Sequence, residues 1–69
     1  MASEAAKLLA KRIKELRKER NWTQEEAAKK CQIKYKYYQE HESSNPRDMR
    51  LSTMEKLAKG FGITLSQLF

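Results

Sequence analysis

The apolar residues of this chain recur every three or four positions and nowhere alternate with polar residues at a period of two. Leu9, Ile13 and Leu16 fall at i, i+4 and i+7, which places them on one face of an α-helix, with Ala6 extending the stripe. Residues 51–61 repeat the pattern. Valine is absent and isoleucine occurs three times, so aliphatic residues that favour strands are scarce. The spacing predicts an all-α fold.

Breaks in the pattern divide the chain into five helices, at about residues 4–20, 24–31, 35–42 and 51–61 and from residue 64. Three of these helices are preceded by capping boxes, in which each side chain bonds the backbone of the other residue: Thr23 with Glu26, Ser52 with Glu55, and Thr64 with Gln67. Gly62 is placed to end the fourth helix in the left-handed conformation. Since 69 residues suffice for one domain, we expect residues 1–69 to form a compact five-helix bundle.

The net charge of +6 makes a positive field that attracts polyanions. No apolar run approaches the roughly 20 residues that span a bilayer, and the N-terminus lacks a signal peptide, so we expect a cytoplasmic protein without membrane contact. The one cysteine forms no metal-binding motif. Without a nucleophile–base pair or a glycine-rich loop, we expect no enzymatic activity, no metal or other cofactor and no small-molecule ligand.

The second and third predicted helices are short and joined by three residues, which is typical of a helix-turn-helix over about residues 24–42. Ala28 is small enough for the third helix to cross closely, and Ile33 fills the wedge between the two helices. The outer face of the third helix is then free to enter a DNA major groove, which is about 12 Å wide.

Two segments resemble a known family. Residues 16–31, LRKERNWTQEEAAKKC, resemble the beginning of a Cro/phage-repressor-type helix-turn-helix domain, the xenobiotic-response-element family, and residues 54–69, MEKLAKGFGITLSQLF, are similar to its fourth and fifth helices. The resemblance implies a DNA-binding domain of a transcriptional repressor or regulator, encoded by a prokaryotic cell or a phage. It also implies double-stranded DNA as the partner and a dimer as the active form.

The resemblance assigns roles to individual positions. The positions that read bases correspond to Lys34, Tyr35, Lys36 and Glu40. Those that contact phosphates correspond to Gln24, Tyr37, Ser43, Arg47 and Arg50. A structural ion pair corresponds to Arg17 and Glu42. Independently of the resemblance, the apolar residues of the C-terminal turn, Leu65, Leu68 and Phe69, are expected to pack either against the domain itself or against a second copy in a homodimer.

Three positions depart from the family's pattern. Gln32 stands where glycine is usual because the backbone is left-handed there, Lys34 where a serine or threonine caps the third helix, and His41 where an aliphatic residue is usual. The third helix also carries Glu40 and Glu42, which balance its lysines. This balance and its three tyrosines favour an alternative function, a protein–protein adaptor built on the same fold.

Overall fold

A computed structural model describes residues 3–69, which form four α-helices and one short 3₁₀ helix. The α-helices are α1 (Glu4–Glu19), α2 (Gln24–Lys30), α3 (Tyr35–Glu42) and α4 (Leu51–Phe61). No strand occurs within residues 3–69, which confirms the all-α prediction. None of the helices in this range is long and apolar enough to cross a membrane.

The last predicted helix is a single 3₁₀ turn over Ser66–Leu68, so the prediction of five α-helices was wrong in this element. The N–H groups of Gln67 and Leu68 donate to carbonyls three residues back, at 3.1 and 3.2 Å. In a 3₁₀ helix residues three apart lie on one side. Leu65 and Leu68 therefore both pack toward the core. The capping box of Thr64 and Gln67 is present, with bonds of 2.9 and 3.2 Å.

The core forms around α1. Leu9, Ile13 and Leu16 are at most 3% exposed and pack in one cluster with Tyr38 and Leu57, which confirms the predicted apolar face of α1. Burial of each such side chain stabilises the fold by roughly 1.5–3 kcal/mol. Because Tyr38 is fully buried, it attaches α3 to this core and turns the opposite face of α3 outward.

The helices α1, α2 and α4 end in the same backbone motif. Within two residues of the end of each helix, one residue lies in the left-handed region, with φ of 56° at Asn21, 56° at Gln32 and 74° at Gly62. The next residue donates its N–H to a carbonyl five positions back, at 2.9 to 3.2 Å, as in a Schellman motif. The left-handed conformations predicted for Gln32 and Gly62 are therefore confirmed. The residues that follow pack against the core and anchor each turn: Trp22, Ile33 and Ile63.

Replacing Gln32 with glycine is expected to raise the free energy of unfolding by about 0.5–1 kcal/mol. The left-handed conformation costs a non-glycine residue roughly 1–2 kcal/mol, and the greater freedom of glycine in the unfolded chain cancels part of the gain. Urea unfolding measures the difference. Asn21→Gly is the matched control and should gain less, because asparagine tolerates this conformation better. A loss of stability in Gln32→Gly would contradict the expectation.

Of the two capping boxes predicted for α2 and α4, the structure contains only the one at α2. The box of Thr23 and Glu26 is confirmed, since each side chain accepts the other residue's N–H, at 3.1 and 3.0 Å. The box predicted at Ser52 and Glu55 was wrong. Arg50 is the N-cap of α4, without a side-chain hydrogen bond. Ser52 lies inside the first turn, where its side chain is not at the capping position.

Candidate nucleic-acid interface

The turn between α2 and α3 determines how α3 is presented. Gln32 adopts the left-handed conformation after the end of α2, and Lys34 is the N-cap of α3, in an extended conformation. Its carbonyl accepts the N–H groups of Tyr37 and Tyr38, at 3.0 and 2.9 Å. Its side chain makes no capping bond, and its positive charge opposes the dipole at this end of the helix. A nearby anion would offset that cost.

The residues predicted to read bases lie on α3 with different exposures. Lys34, Tyr35 and Lys36 are exposed, and Tyr35 is 44% exposed. Glu40 is half-buried. Gln39 is also exposed, although it was not predicted to read bases. The signal available for it was its spacing of three residues from Lys36, which puts the two side chains on neighbouring parts of the helix surface.

Arg17 and Glu42 form a two-pronged ion pair beside α3. Arg17 Nε donates to Glu42 Oε2 at 2.8 Å and Nη2 to Oε1 at 3.1 Å, while Nη1 donates to the carbonyl of Trp22 at 2.8 Å. The side chains are 13% and 1% exposed. Burial raises the pKa of Glu42, but hydrogen bonds from Arg17 and other neighbours outweigh it and hold that pKa below its ordinary value. Glu42 is therefore ionised at neutral pH.

Gln24, predicted to contact a phosphate, is joined to this pair. It is half-buried at the start of α2, and its Nε2 donates to Glu42 Oε1 at 3.3 Å. An amide nitrogen carries two hydrogens, so one remains for another acceptor. Gln24 thus links the beginning of α2 to the end of α3.

A groove of about 650 Å³ separates α3 from the loop after it and from the first turns of α4. Its lining includes four cationic residues and two acidic ones: Lys34, Arg47, Arg50, Lys56, Glu40 and Asp48. Arg47 and Arg50, predicted to contact phosphates, lie here together with Tyr37, which is 41% exposed. Lys56 was not predicted, because only the packing of α4 beside the loop brings it to the groove.

His41 also lines this groove and is 9% exposed. Burial lowers the pKa of its imidazole, with opposing effects from Glu40, which raises it, and Arg47, which lowers it further. The side chain is therefore neutral at neutral pH. It belongs to no metal-binding cluster, since residues 3–69 contain no group of three or more potential ligands.

Glu40 and Arg47 form an ion pair across the groove, which was not predicted. Arg47 Nε lies 3.1 Å from Glu40 Oε2, and the side chains are 72% and 35% exposed. Both acidic residues of α3 are thus paired with arginines, Glu42 with Arg17 and Glu40 with Arg47. The charge balance expected for α3 is therefore altered, because the charges of Lys34 and Lys36 are left in excess.

Ser43 lies apart from the other predicted phosphate contacts. Its Oγ donates to the carbonyl of Glu40 at 2.7 Å, at the end of α3. It lines a second groove, of about 320 Å³, together with Lys7, Lys11 and Lys14 of α1. The predicted phosphate contacts therefore do not form one cluster: Arg47, Arg50 and Tyr37 line the first groove, Ser43 lines the second, and Gln24 lies beside Glu42.

A helix-turn-helix family model matches residues 13–68. The chain belongs to the Cro/C1-type helix-turn-helix family. No curated protein and no solved structure matches it significantly. The family binds DNA, and the matched range contains α2, the turn, α3 and both grooves' loop residues. The helix-turn-helix predicted over about residues 24–42 corresponds to α2 and α3 of this family member.

Proposed function

We propose that this protein binds double-stranded DNA in a sequence-dependent manner, with α3 in the major groove. The charge on the outer face of α3 is the observation that carries the proposal. Glu40 and Glu42 are each paired with an arginine, whereas Lys34 and Lys36 take part in none of the ion pairs formed within residues 3–69. The outward face of α3 is therefore cationic, and DNA phosphates attract it whatever the base sequence.

Within this proposal the exposed start of α3 reads the bases. Lys34 and Lys36 donate to N7 and O6 of guanine, the usual acceptors for lysine in the major groove. Tyr35 contacts a base edge beside them. The ring of Tyr37 lies under the Lys36 ammonium, with Nζ 5.7 Å from its centroid, and the Tyr37 hydroxyl reaches toward a phosphate.

The remaining proposed contacts position the protein on the DNA backbone. Arg47 and Arg50 supply charge from the loop, and Gln24 supplies a neutral donor beside Glu42. Ser43 supplies one when its hydroxyl exchanges the carbonyl of Glu40 for a phosphate oxygen. Contacts of this kind fix orientation and carry most of the salt dependence without selecting a sequence.

A homodimer acting as a repressor-like regulator fits the C-terminal turn only in part. Leu68 is fully buried in the protein's own core, so of the two expected arrangements it packs against the domain itself and is not available to a partner. Phe69 is 69% exposed, and Leu8, 68% exposed, lies beside it on the same apolar groove. We propose that Phe69 and Leu8, with half-buried Leu65, form the dimer contact. Two copies would then favour inverted half-sites about one helical turn apart.

Selection from a random duplex library at physiological salt tests the proposal directly. A defined binding motif is expected, and its symmetry reports whether two copies bind. The logarithm of the affinity for a 24-base-pair duplex should fall linearly with the logarithm of salt concentration, with a slope of about −0.9 per phosphate neutralised. The alternative, an adaptor that binds another protein, predicts neither an enriched motif nor a steep salt slope.

Lys36→Ala is expected to relax base preference, whereas Arg47→Ala should weaken binding to all sequences alike. Loss of a lysine that donates to a base costs roughly 1–3 kcal/mol of discrimination at one position. Loss of a phosphate contact reduces the salt slope by about one. Library selection and salt titration of both variants make the comparison. The same change of base preference in both variants would contradict the assignment.

A further inference from the structure

The position of Glu40 differs from that of its exposed neighbours on α3. Glu40 lines the groove between α3 and the following loop, whereas Lys36 and Gln39 do not. Its carboxylate lies against Arg47 in that groove. A carboxylate that accepts a hydrogen bond from N4 of cytosine must present its oxygens to a base edge. In this structure Glu40 presents Oε2 to a guanidinium instead.

The geometry leaves Arg47 able to bind a second acceptor. A guanidinium has five N–H donors, and one carboxylate cannot occupy them all. The Arg47 side chain is 72% exposed, although its Nε lies 3.1 Å from Glu40. Pro46, immediately before it, is buried, and its ring restricts the backbone. Arg47 is therefore held at its head group by Glu40, and it follows a buried residue, Pro46, whose ring fixes the backbone of Pro46 itself.

We propose that Glu40 is a positioning residue that orients the Arg47 guanidinium toward the DNA backbone, and that it does not read a base. This inference rests on the proposed DNA-binding function. An arginine held in place by a carboxylate loses less freedom when it binds a phosphate than an unrestrained one. The acidic side chain on the recognition helix then supports backbone binding, because its charge is paired with Arg47 and not directed at a phosphate.

A double-mutant cycle on a fluorescent random-sequence 24-base-pair duplex tests the coupling. The cycle compares the wild type, Glu40→Gln, Arg47→Ala and the double variant, by anisotropy at physiological salt. Arg47→Ala should cost at least three times more affinity when Glu40 is present than when it is glutamine. Equal costs in the two backgrounds, or a larger cost with glutamine, would overturn the proposal.

Two controls separate orientation from charge alone. Arg50→Ala is the matched variant, since Arg50 lies in the same groove and forms none of the ion pairs within residues 3–69, and it should show no coupling to Glu40→Gln. Arg47→Lys keeps the charge without the planar fork, so Glu40→Gln should have a smaller effect in that background. Coupling that persists in full with lysine would assign the effect to charge and reject the positioning role.

The library selection supplies the second readout. Base preferences should be the same for Glu40→Gln and the wild type. Gln39→Ala, which changes an exposed neighbour on the same helix, is the comparison variant. A changed preference at one base pair in Glu40→Gln would make Glu40 a base reader and overturn the proposal. If the wild type binds no duplex, the proposed function fails, which these experiments distinguish from failure of the positioning role.

Discussion

Arg17→Ala is expected to lower the free energy of unfolding by about 3–5 kcal/mol, the cost of leaving one member of a buried ion pair without its partner. The Glu42 side chain is 1% exposed, and two N–H groups of Arg17 reach its carboxylate. After the substitution only the longer bond from Gln24 remains among these contacts. The carbonyl of Trp22 also loses its donor. Urea unfolding at neutral pH measures the loss.

Two further variants separate the buried pair from ordinary surface charge. Arg47→Ala breaks the exposed pair with Glu40 and should cost no more than about 1 kcal/mol. Arg17→Ala combined with Glu42→Ala should be more stable than Arg17→Ala alone, because no buried charge is then left unpaired. A neutral result for the single Arg17 variant would show that solvent reaches the pair.

The difference between the wild type and Arg17→Ala is also expected to depend on pH. In the folded wild type the pKa of Glu42 lies below its ordinary value of 4.5. The stability gained from ionised Glu42 is therefore present above pH 4.5 and is lost as pH falls through the lower folded pKa. In Arg17→Ala burial raises that pKa, so protonation relieves the cost. The stability gap should begin to narrow above pH 4.5, where Glu42 of the variant takes up a proton, and should narrow further below pH 4.5, where the wild type loses its own contribution. A constant gap between pH 7 and pH 3.5 would contradict this account.

Much of the fold follows from interactions between residues close in sequence. The apolar face of α1 and the box of Thr23 and Glu26 each depend on spacing within one or two turns, so the sequence predicts them. The left-handed Gln32 was expected from the family resemblance. The capping box predicted at Ser52 was wrong because the preceding loop also affects where a helix begins. A capping pattern competes with the path of the preceding loop, and here Arg50 begins the helix earlier.

Contacts between residues far apart in sequence were not predictable in this way. Arg20 is one of many cations in α1, but its Nη2 donates to the carbonyl of Phe61, 41 residues away, at 2.7 Å. The ring of Trp22 stacks on Phe61 at 5.7 Å between centroids. The pairing of Glu40 with Arg47 likewise depends on the course of the loop. The sequence shows which residues are charged, but which groups they pair with depends on how the helices and loops pack.

Gly60→Ala is expected to lower the free energy of unfolding by about 1–2 kcal/mol, although alanine normally stabilises a helix. The sequence predicts a close crossing of α3 at Ala28, and in the structure α4 also approaches the end of α2 closely, at Gly60. A Cβ there would lie 2.5 Å from Cys31 Sγ and 2.7 Å from Cys31 Cα. Overpacking costs typically 1–3 kcal/mol, and backbone cannot move aside as a flexible side chain does. The helix-propensity gain of about 1 kcal/mol offsets only part of this.

Two substitutions test whether the clash is with backbone. Adding Cys31→Ala to Gly60→Ala removes Sγ but leaves Cys31 Cα at 2.7 Å and its nitrogen at 2.9 Å, so stability should recover only in part. Gly62→Ala is the control, because no atom lies within 4 Å of its added Cβ and only its φ of 74° is unfavourable. Full recovery in the double variant would limit the contact to the sulfur. If the free energy of unfolding of Gly60→Ala equals that of the wild type, α2 and α4 can separate at little cost. The close packing of α4 on α2 would then not determine the position of α3.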